Sequence, residues 1–255
     1  MAFVRNKDDV KPGILSAIYK PVISITLTAV LLVLPVAAVA RIALPANQGE
    51  RDRILGLLRR IASDYQVEGE EFPAGSGNWR VKIIIPGGTA GPAPQPVPDV
   101  GEIELREPKG DELVLKAVRH SKTIKINLVP GRGAGTRADP NTSDNRRKRG
   151  RRGVGTDSEI RIGSGLTDNS IEVLDGTDAA GNIIWIDNPL WIILAHELIH
   201  GLHNADGTRS PDSEGQTISR DENNGHGITE NDLRSEHRGQ VGGPRQGHGG
   251  RDTGH

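Results

Sequence analysis

The chain has 255 residues, with 32 lysines and arginines against 33 aspartates and glutamates, and its formal net charge is −1. This balance argues against a general attraction to nucleic acid or to acidic membranes. The sequence contains no cysteine, which excludes a disulfide framework, a thiolate zinc site and a cysteine nucleophile. Aromatic residues make up only 3%, while glycine occurs 33 times and proline 16 times. We therefore expect a modest core interrupted by long irregular segments.

The first forty residues have the layout of an export signal. The segment Pro21–Ala40 carries no charge and follows several basic residues. Pro35 would break a helix within it, and the run Ala38–Ala40 supplies the small residues that signal peptidases accept. We predict a signal peptide in residues 1–40, which gives the remainder a secreted or extracytoplasmic location. The alternative is a retained membrane anchor over residues 21–40, because about 20 apolar residues can span a bilayer.

Hydrophobic periodicity predicts a mixed α and β chain after this segment. Apolar residues at helical spacing indicate packing helices, and short alternating runs indicate strands. In chain order, we predict a helix over Glu50–Tyr65, strands over Trp79–Ile85 and Glu102–Arg106, a helix over Asp111–His120, and strands over Ile124–Leu128, Glu159–Ile162, Ile171–Leu174 and Asn182–Ile186. The fold class is therefore α+β with a small mixed sheet, and we expect one domain over residues 47–238.

Two segments show no periodicity and are predicted to be irregular. Residues 130–157 are rich in glycine, arginine and polar residues and include the basic cluster Arg146–Arg152. Because this cluster lacks interleaved aromatic residues, we interpret it as part of a solvated, mobile loop rather than as a nucleic-acid site. The tail over residues 239–255 is glycine-rich and charged, and we predict that it is disordered.

A buried helix near residue 190 carries the residues with the clearest chemistry. Asn188 can cap its start and Pro189 suits its first turn. His196 and His200 are four residues apart, so they differ by only about 40° around a helix and can bind one ion. Glu197 then lies beside the open position of the metal, where it can act as a general base for a metal-activated water. The pattern predicts a Zn²⁺ site that hydrolyses an amide bond.

The third metal ligand has several candidates. Ser210-Pro211-Asp212 resembles a new helix start, which would place Glu214 on the first turn of a second helix. A carboxylate from such a helix commonly completes a zinc site of two histidines and one glutamate, so we predict Glu214 as the ligand. The alternatives are Asp206, at the position where a metzincin has its third histidine, and His203, one turn after the second histidine.

The segments LAHELIHGLHNADGTR, SEGQTIS and ITENDLR resemble the NleD-like effector-protein family of bacterial zinc metallopeptidases, over roughly Ile183–Arg245. The resemblance implies a small zincin-like domain with His196 and His200 as ligands, Glu197 as general base and Glu214 as the matching glutamate. Members of this family are injected effectors or toxin domains, and the best-known ones cut host signalling kinases within the activation loop. A protein substrate, including a host protein, is therefore implied.

The last matching segment contains one more candidate site residue. Glu230, Asn231 and Arg234 match a Glu-Asn-x-x-Arg element of the family. The tyrosine that often stands near the end of the family's pattern is absent here, so another residue must stabilise the oxyanion of the transition state. We predict Arg234 as that donor, with His226 and His237 as the alternatives.

Taken together, these patterns predict an exported, monomeric zinc endopeptidase of an effector or toxin type. Its partner would be a protein or peptide substrate, with no nucleic acid and with membrane contact only through the amino-terminal segment. One alternative is a zinc amidase that acts on cell-wall peptide, which an exported bacterial protein would meet. Another is a non-catalytic binding module stabilised by zinc, although the intact Glu197 argues against it.

Overall fold

The computed structural model describes residues 42–85, 108–138, 153–210, 212–220, 227–237, 241, 244–245 and 250–252. All of them belong to the same structural unit. The predicted signal peptide or anchor in residues 1–40, the predicted strand over Glu102–Arg106 and the basic cluster Arg146–Arg152 lie outside the described residues. Within the described ranges, we find no helix long and apolar enough to cross a membrane.

Two sheets organise the described residues. Their strands are β1 (Ile42–Leu44), β2 (Gln66–Glu71), β3 (Trp79–Ile84), β4 (Ile124–Val129), β5 (Ala134–Ala138), β6 (Ser158–Gly163), β7 (Ile171–Thr177), β8 (Ile183–Asp187) and β9 (Gly250–Asp252). The larger sheet has the order β2-β3-β1-β4-β6-β5, in which β1, β4 and β6 are parallel and the other neighbours are antiparallel. The smaller sheet has the order β8-β7-β9, and both of its pairs are antiparallel.

Helices pack with these sheets. They are α1 (Gln48–Ile61), α2 (Lys109–Arg119), α3 (Leu190–Asp206), α4 (Ser213–Gly215) and α5 (Glu230–Glu236), and a π-helix (Gln216–Arg220) directly follows α4. The mixture of one six-stranded mixed sheet with helices confirms the α+β prediction.

The core lies where α3 crosses the larger sheet. Along β4 and β6, Ile124, Ile126 and Ile160 are 0% exposed, whereas Lys125 is exposed, as the alternation of a half-buried strand requires. All residues of α3 from 190 to 205 are buried. A Cβ atom added at Gly201 of α3 would lie 3.2 Å from the Ile124 side chain, so the helix and the strand approach each other closely. The middle of α3 is thus fixed over the part of the sheet formed by β4, β6 and β5.

The amino-terminal part of the fold differs from the prediction at two points. β1 lies before residue 47, the predicted start of the domain, and pairs with both β3 and β4. That boundary is therefore wrong. α1 ends at Ile61 rather than at Tyr65, and β2 follows from Gln66, where we predict no strand. The sequence of β2, QVEGEE, shows little apolar alternation, so its conformation comes from pairing with β3 along its whole length.

The segment over residues 130–157, predicted to be irregular throughout, contains a strand. Ala134–Ala138 forms β5, which pairs with β6 at one edge of the larger sheet. The segment that begins at Gly153 returns to the end of α3, where the Gly153 amide donates to the Gly207 carbonyl at 2.7 Å. Glycine has no side chain to reveal an alternating pattern, so hydrogen bonds to distant elements decide the structure here.

The prediction of a disordered tail over residues 239–255 is also wrong for its described parts. β9 adds a strand to the smaller sheet by pairing with β7. Val241 is 4% exposed and Arg245 is 9% exposed, so both lie in the protein interior. Their hydrogen-bond partners lie in α5, and local composition does not reveal such contacts.

The start of α3 is held by a residue that the sequence did not indicate. We predict that Asn188 caps the helix, but no side chain caps it in that way, and Asn188 Oδ1 instead accepts a hydrogen bond from Arg234 Nη2. The capping prediction is therefore wrong. The first amide of α3, that of Leu190, donates to Asp168 Oδ1 at 3.0 Å, so a carboxylate from another segment satisfies this end of the helix.

Candidate metal centre

The two histidines of α3 converge on one point. His196 and His200 are only 8% and 6% exposed, and their Nε2 atoms lie 3.1 Å apart. Because a helix turns by about 100° per residue, side chains four residues apart share a face. The predicted spacing therefore brings both imidazoles together at the surface of the core.

Glu214 reaches the same point from a separate helix. Its Oε2 lies 3.2 Å from His196 Nε2, and its Oε1 lies 3.1 Å from His200 Nε2. Asp212 caps this helix by accepting a hydrogen bond from the Gly215 amide at 3.1 Å, which confirms the helix start predicted there. Ligand atoms of the two histidines and Glu214 all lie within 4.8 Å of one another.

This donor set fits a zinc ion. Two imidazoles and one carboxylate are a common protein ligand set for zinc when one position stays open. Tetrahedral zinc with bonds of about 2.0–2.1 Å separates its ligand atoms by about 3.3 Å. The contacts among His196, His200 and Glu214 measure 3.1, 3.2 and 3.1 Å. The residues present are therefore compatible with zinc both in chemical type and in spacing.

The far nitrogen of each ring also has a partner. His196 Nδ1 lies 2.8 Å from Glu230 Oε2, and His200 Nδ1 lies 3.1 Å from Thr217 Oγ1. A histidine that binds a metal through Nε2 carries its proton on Nδ1 and donates it to such a partner. Thr217 lies on the π-helix directly after α4, so one short segment supplies both Glu214 and the partner of His200.

The charges of the cluster favour one bound proton in the absence of metal. Burial alone would lower the pKa of His196, but hydrogen bonds to Glu214 and Glu230 outweigh burial and raise that pKa to about 10. Burial is the main cause of the lowered pKa of His200. Hydrogen bonds from the two imidazoles hold the pKa of Glu214 well below its usual range. At neutral pH the extra proton therefore resides on His196.

Zinc binding is expected to release about one proton per ion at neutral pH. His196 must lose its proton to offer Nε2, and its pKa of about 10 lies above neutrality, whereas the lowered pKa values of His200 and Glu214 leave those groups unprotonated. Protons compete with the metal below that pKa, so the apparent affinity should rise about tenfold per pH unit between pH 7 and 9. Calorimetric titration in buffers of different ionisation enthalpy measures the released proton. Binding heats that do not depend on the buffer would contradict this expectation.

Glu197 lies beside the histidines and is held by an edge strand. Its exposed fraction is 8%, and the Thr136 hydroxyl lies 2.7 Å from Glu197 Oε2 and 2.9 Å from the Glu197 carbonyl oxygen. A hydroxyl carries one hydrogen, which serves one of these acceptors at a time. Because Thr136 belongs to β5, the strand fixes the position of the carboxylate next to the converging ligand atoms.

The two alternatives for the third ligand lie elsewhere. Asp206 Oδ1 is 3.3 Å from His120 Nε2, at the far end of α3. His203 is 0% exposed. Neither residue belongs to the group of converging ligand atoms found among the described residues. The geometry therefore favours Glu214 over Asp206 and His203.

Arg234 does not take the position predicted for it. Its side chain is 0% exposed, and it donates from Nε to Glu230 Oε1 at 2.7 Å, from Nη1 to the Val241 carbonyl at 3.1 Å and from Nη2 to Asn188 Oδ1. All three guanidinium nitrogens are thus engaged in the protein interior. A donor to the oxyanion must reach the substrate, so this arrangement argues against the predicted role and gives Arg234 a structural one.

Of the two alternative oxyanion donors, the structure describes His237. The His237 ring packs edge-on against Trp191, with ring centroids 4.8 Å apart. This contact gives His237 a packing role beside the first turn of α3. His226 lies outside the described residues.

Four residues around the centre were not assigned to it by the sequence, namely Thr136, Thr217, Glu230 and Arg245. For Glu230 a partial signal exists, because Thr229 and Asp232 form a capping box at the start of α5, and that pattern is readable from sequence. It indicates where the helix begins but not which residue Glu230 contacts. Thr217 comes to the centre on the same short segment as Glu214, whereas Thr136 and Arg245 are brought there by tertiary packing.

Comparisons with known proteins identify no relative. A scan against protein-family models, a search of curated proteins and a search of solved structures all find no match to this chain. The function is therefore argued from the residues of the centre and from their geometry.

Proposed function

We propose that the chain is a zinc-dependent endopeptidase with a zincin-like catalytic helix. The observation that carries the proposal is the convergence of His196, His200 and Glu214, close enough to Glu197 for the charge of its carboxylate to act on both imidazoles. A purely structural zinc site closes all four positions with protein ligands. This cluster offers three, and the residue next to it has the chemistry of a general base.

Each residue has a distinct task in this proposal. Zinc bound by the two histidines and Glu214 would polarise a substrate carbonyl and make water more acidic. Glu197 accepts the proton of the attacking water and passes it to the nitrogen of the leaving amine as the C–N bond breaks. The Thr136 hydroxyl holds one oxygen of Glu197 at 2.7 Å, which keeps the carboxylate in place for both proton transfers.

A groove of about 940 Å³ opens beside Thr136 and includes residues of β4, β5 and β6 in its lining, but none of His196, Glu197, His200 and Glu214. Thr136 connects this groove to the centre, because its hydroxyl contacts Glu197. The chemistry of the centre, rather than this groove, therefore supports a peptide substrate. We further propose that this chain belongs to an effector or toxin, in keeping with the resemblance of its motif segments.

Zinc content and cleavage together test the function. We expect purified protein to bind one zinc ion per chain and to cut peptides in a diverse library, with the cuts located by mass spectrometry. A strong chelator should abolish cleavage, and added zinc should restore it. Cross-linked cell-wall peptide assayed in parallel tests the amidase alternative. Stoichiometric zinc without cleavage of either substrate would refute the peptidase and leave a binding module.

A further inference from the structure

Glu230 is a buried carboxylate surrounded by charged partners. It is 0% exposed. Its Oε1 accepts a hydrogen bond from Arg234 Nε at 2.7 Å, and its Oε2 lies 2.8 Å from His196 Nδ1 and 3.2 Å from Arg245 Nη1. A buried carboxylate is costly unless paired, and here both oxygens have cationic or polar partners. Glu230 therefore connects one imidazole of the centre to two arginines.

This connection matters because a histidine must present the correct nitrogen to a metal. An acceptor at Nδ1 keeps the proton on that atom and leaves Nε2 free to bind. A carboxylate serves as such an acceptor and still accepts from the arginines, because each of its oxygens has two lone pairs. A glutamine has only one acceptor oxygen. It would have to turn its NH₂ group either toward Arg234 or toward His196 and Arg245, which share one oxygen of Glu230.

Arg245 is brought to Glu230 by the segment that follows α5. The Asn231 side chain donates to the Arg245 carbonyl at 3.0 Å and accepts from the Arg245 amide at 2.8 Å, so two hydrogen bonds fix this part of the backbone. The Val241 carbonyl, four residues earlier, accepts from Arg234. Val241 and Arg245 are therefore anchored to α5 through hydrogen bonds to Arg234, Asn231 and Glu230.

We propose that Glu230 is the residue that positions His196 for metal binding, and that Arg245 holds Glu230 in place. Arg245, which lies in the segment that composition indicated to be a disordered tail, thus supports the metal centre. This inference rests on the proposed zinc site and adds to it a requirement for residues that do not touch the metal. Arg245 fixes the Glu230 carboxylate, and that carboxylate in turn fixes the orientation of the His196 imidazole.

Zinc affinities of matched variants of the full chain test the proposal. We expect Glu230→Gln to bind zinc about 10–100-fold more weakly than wild type, as is usual when the partner of a metal-bound histidine is lost. Arg245→Met should lose about tenfold or less, and Arg245→Lys should recover part of that loss because an ammonium still donates to the carboxylate. The control is Arg60→Met, which removes an exposed arginine paired with Asp168 at 2.7 Å and should bind zinc like wild type.

A spectroscopic readout separates positioning from general destabilisation. In the zinc-loaded wild type, the Nδ1 proton of His196 should give a downfield NMR signal that exchanges slowly with water. The signal should move upfield or vanish in Glu230→Gln, while the His200 signal stays. Wild-type affinities in Glu230→Gln and Arg245→Met would overturn the positioning role alone. Failure of wild type to bind zinc would instead overturn the metal site itself. If Glu230→Gln does not fold, the comparison of Arg245→Met with Arg245→Lys decides.

Discussion

Glu197→Gln is expected to lower kcat/KM for peptide cleavage by about 10²–10⁴-fold while zinc content stays at the wild-type level. The amide group of glutamine cannot accept the proton of the attacking water at neutral pH. Its carbonyl oxygen can still accept the hydrogen bond from Thr136, so the side chain should keep its place. Elemental analysis measures the zinc content, and steady-state kinetics on a cleaved peptide measure the activity.

A matched control for this variant is Glu70→Gln on β2. Glu70 is a half-buried carboxylate, 34% exposed, and pairs with Arg80 at 2.8 Å. It therefore undergoes the same chemical change away from the metal centre, and its activity should equal that of wild type. Wild-type cleavage by Glu197→Gln would assign the proton transfers to another group. Loss of zinc from Glu197→Gln would mean that the residue acts on the metal instead.

Glu214→Gln should weaken zinc binding by at least about 100-fold, since loss of a ligand exceeds the usual cost of losing a ligand's partner. The substitution removes the negative charge that faces both imidazoles at 3.1–3.2 Å. Two neutral histidines then remain for a divalent cation. Competition with a chromophoric chelator measures the affinity, and cleavage should fall in parallel.

Because Glu214 is exposed, its substitution should change zinc affinity without changing the stability of the metal-free protein. Its side chain is 48% exposed, so its ion pairs are screened by solvent and their loss should cost little stability. The metal-free variant should therefore unfold at nearly the same temperature as the metal-free wild type. Wild-type zinc affinity in Glu214→Gln would remove this residue from the ligand set. A collapse of the metal-free fold would show that Glu214 has a structural task instead.

The sequence predicted the parts of the centre that depend on local pattern. The apolar run around His196 and His200 indicated a buried helix, and α3 is buried along residues 190–205. The start signal at Asp212 placed Glu214 on a second helix, as observed. Both features follow from helix periodicity and capping, which act over a few neighbouring residues. The alternation in β4 was visible for the same reason.

The parts that the sequence missed depend on contacts between distant segments. β5 contains too little side-chain alternation to be recognised as a strand, yet pairing with β6 fixes it and brings Thr136 to Glu197. Glu230 and His196 are 34 residues apart in sequence, and no spacing rule links them. Arg245 was hidden by a composition that is typical of disorder. Tertiary hydrogen bonds determine each of these positions.

The three converging side chains differ greatly in how firmly the backbone holds them. Two of them project from α3, whose residues 190 to 205 are all buried, so their backbone moves only when part of the core opens. The third projects from α4, a helix of three residues, and is half exposed. Entry or exit of an ion should therefore involve displacement of the Glu214 carboxylate, while the two imidazoles stay in place.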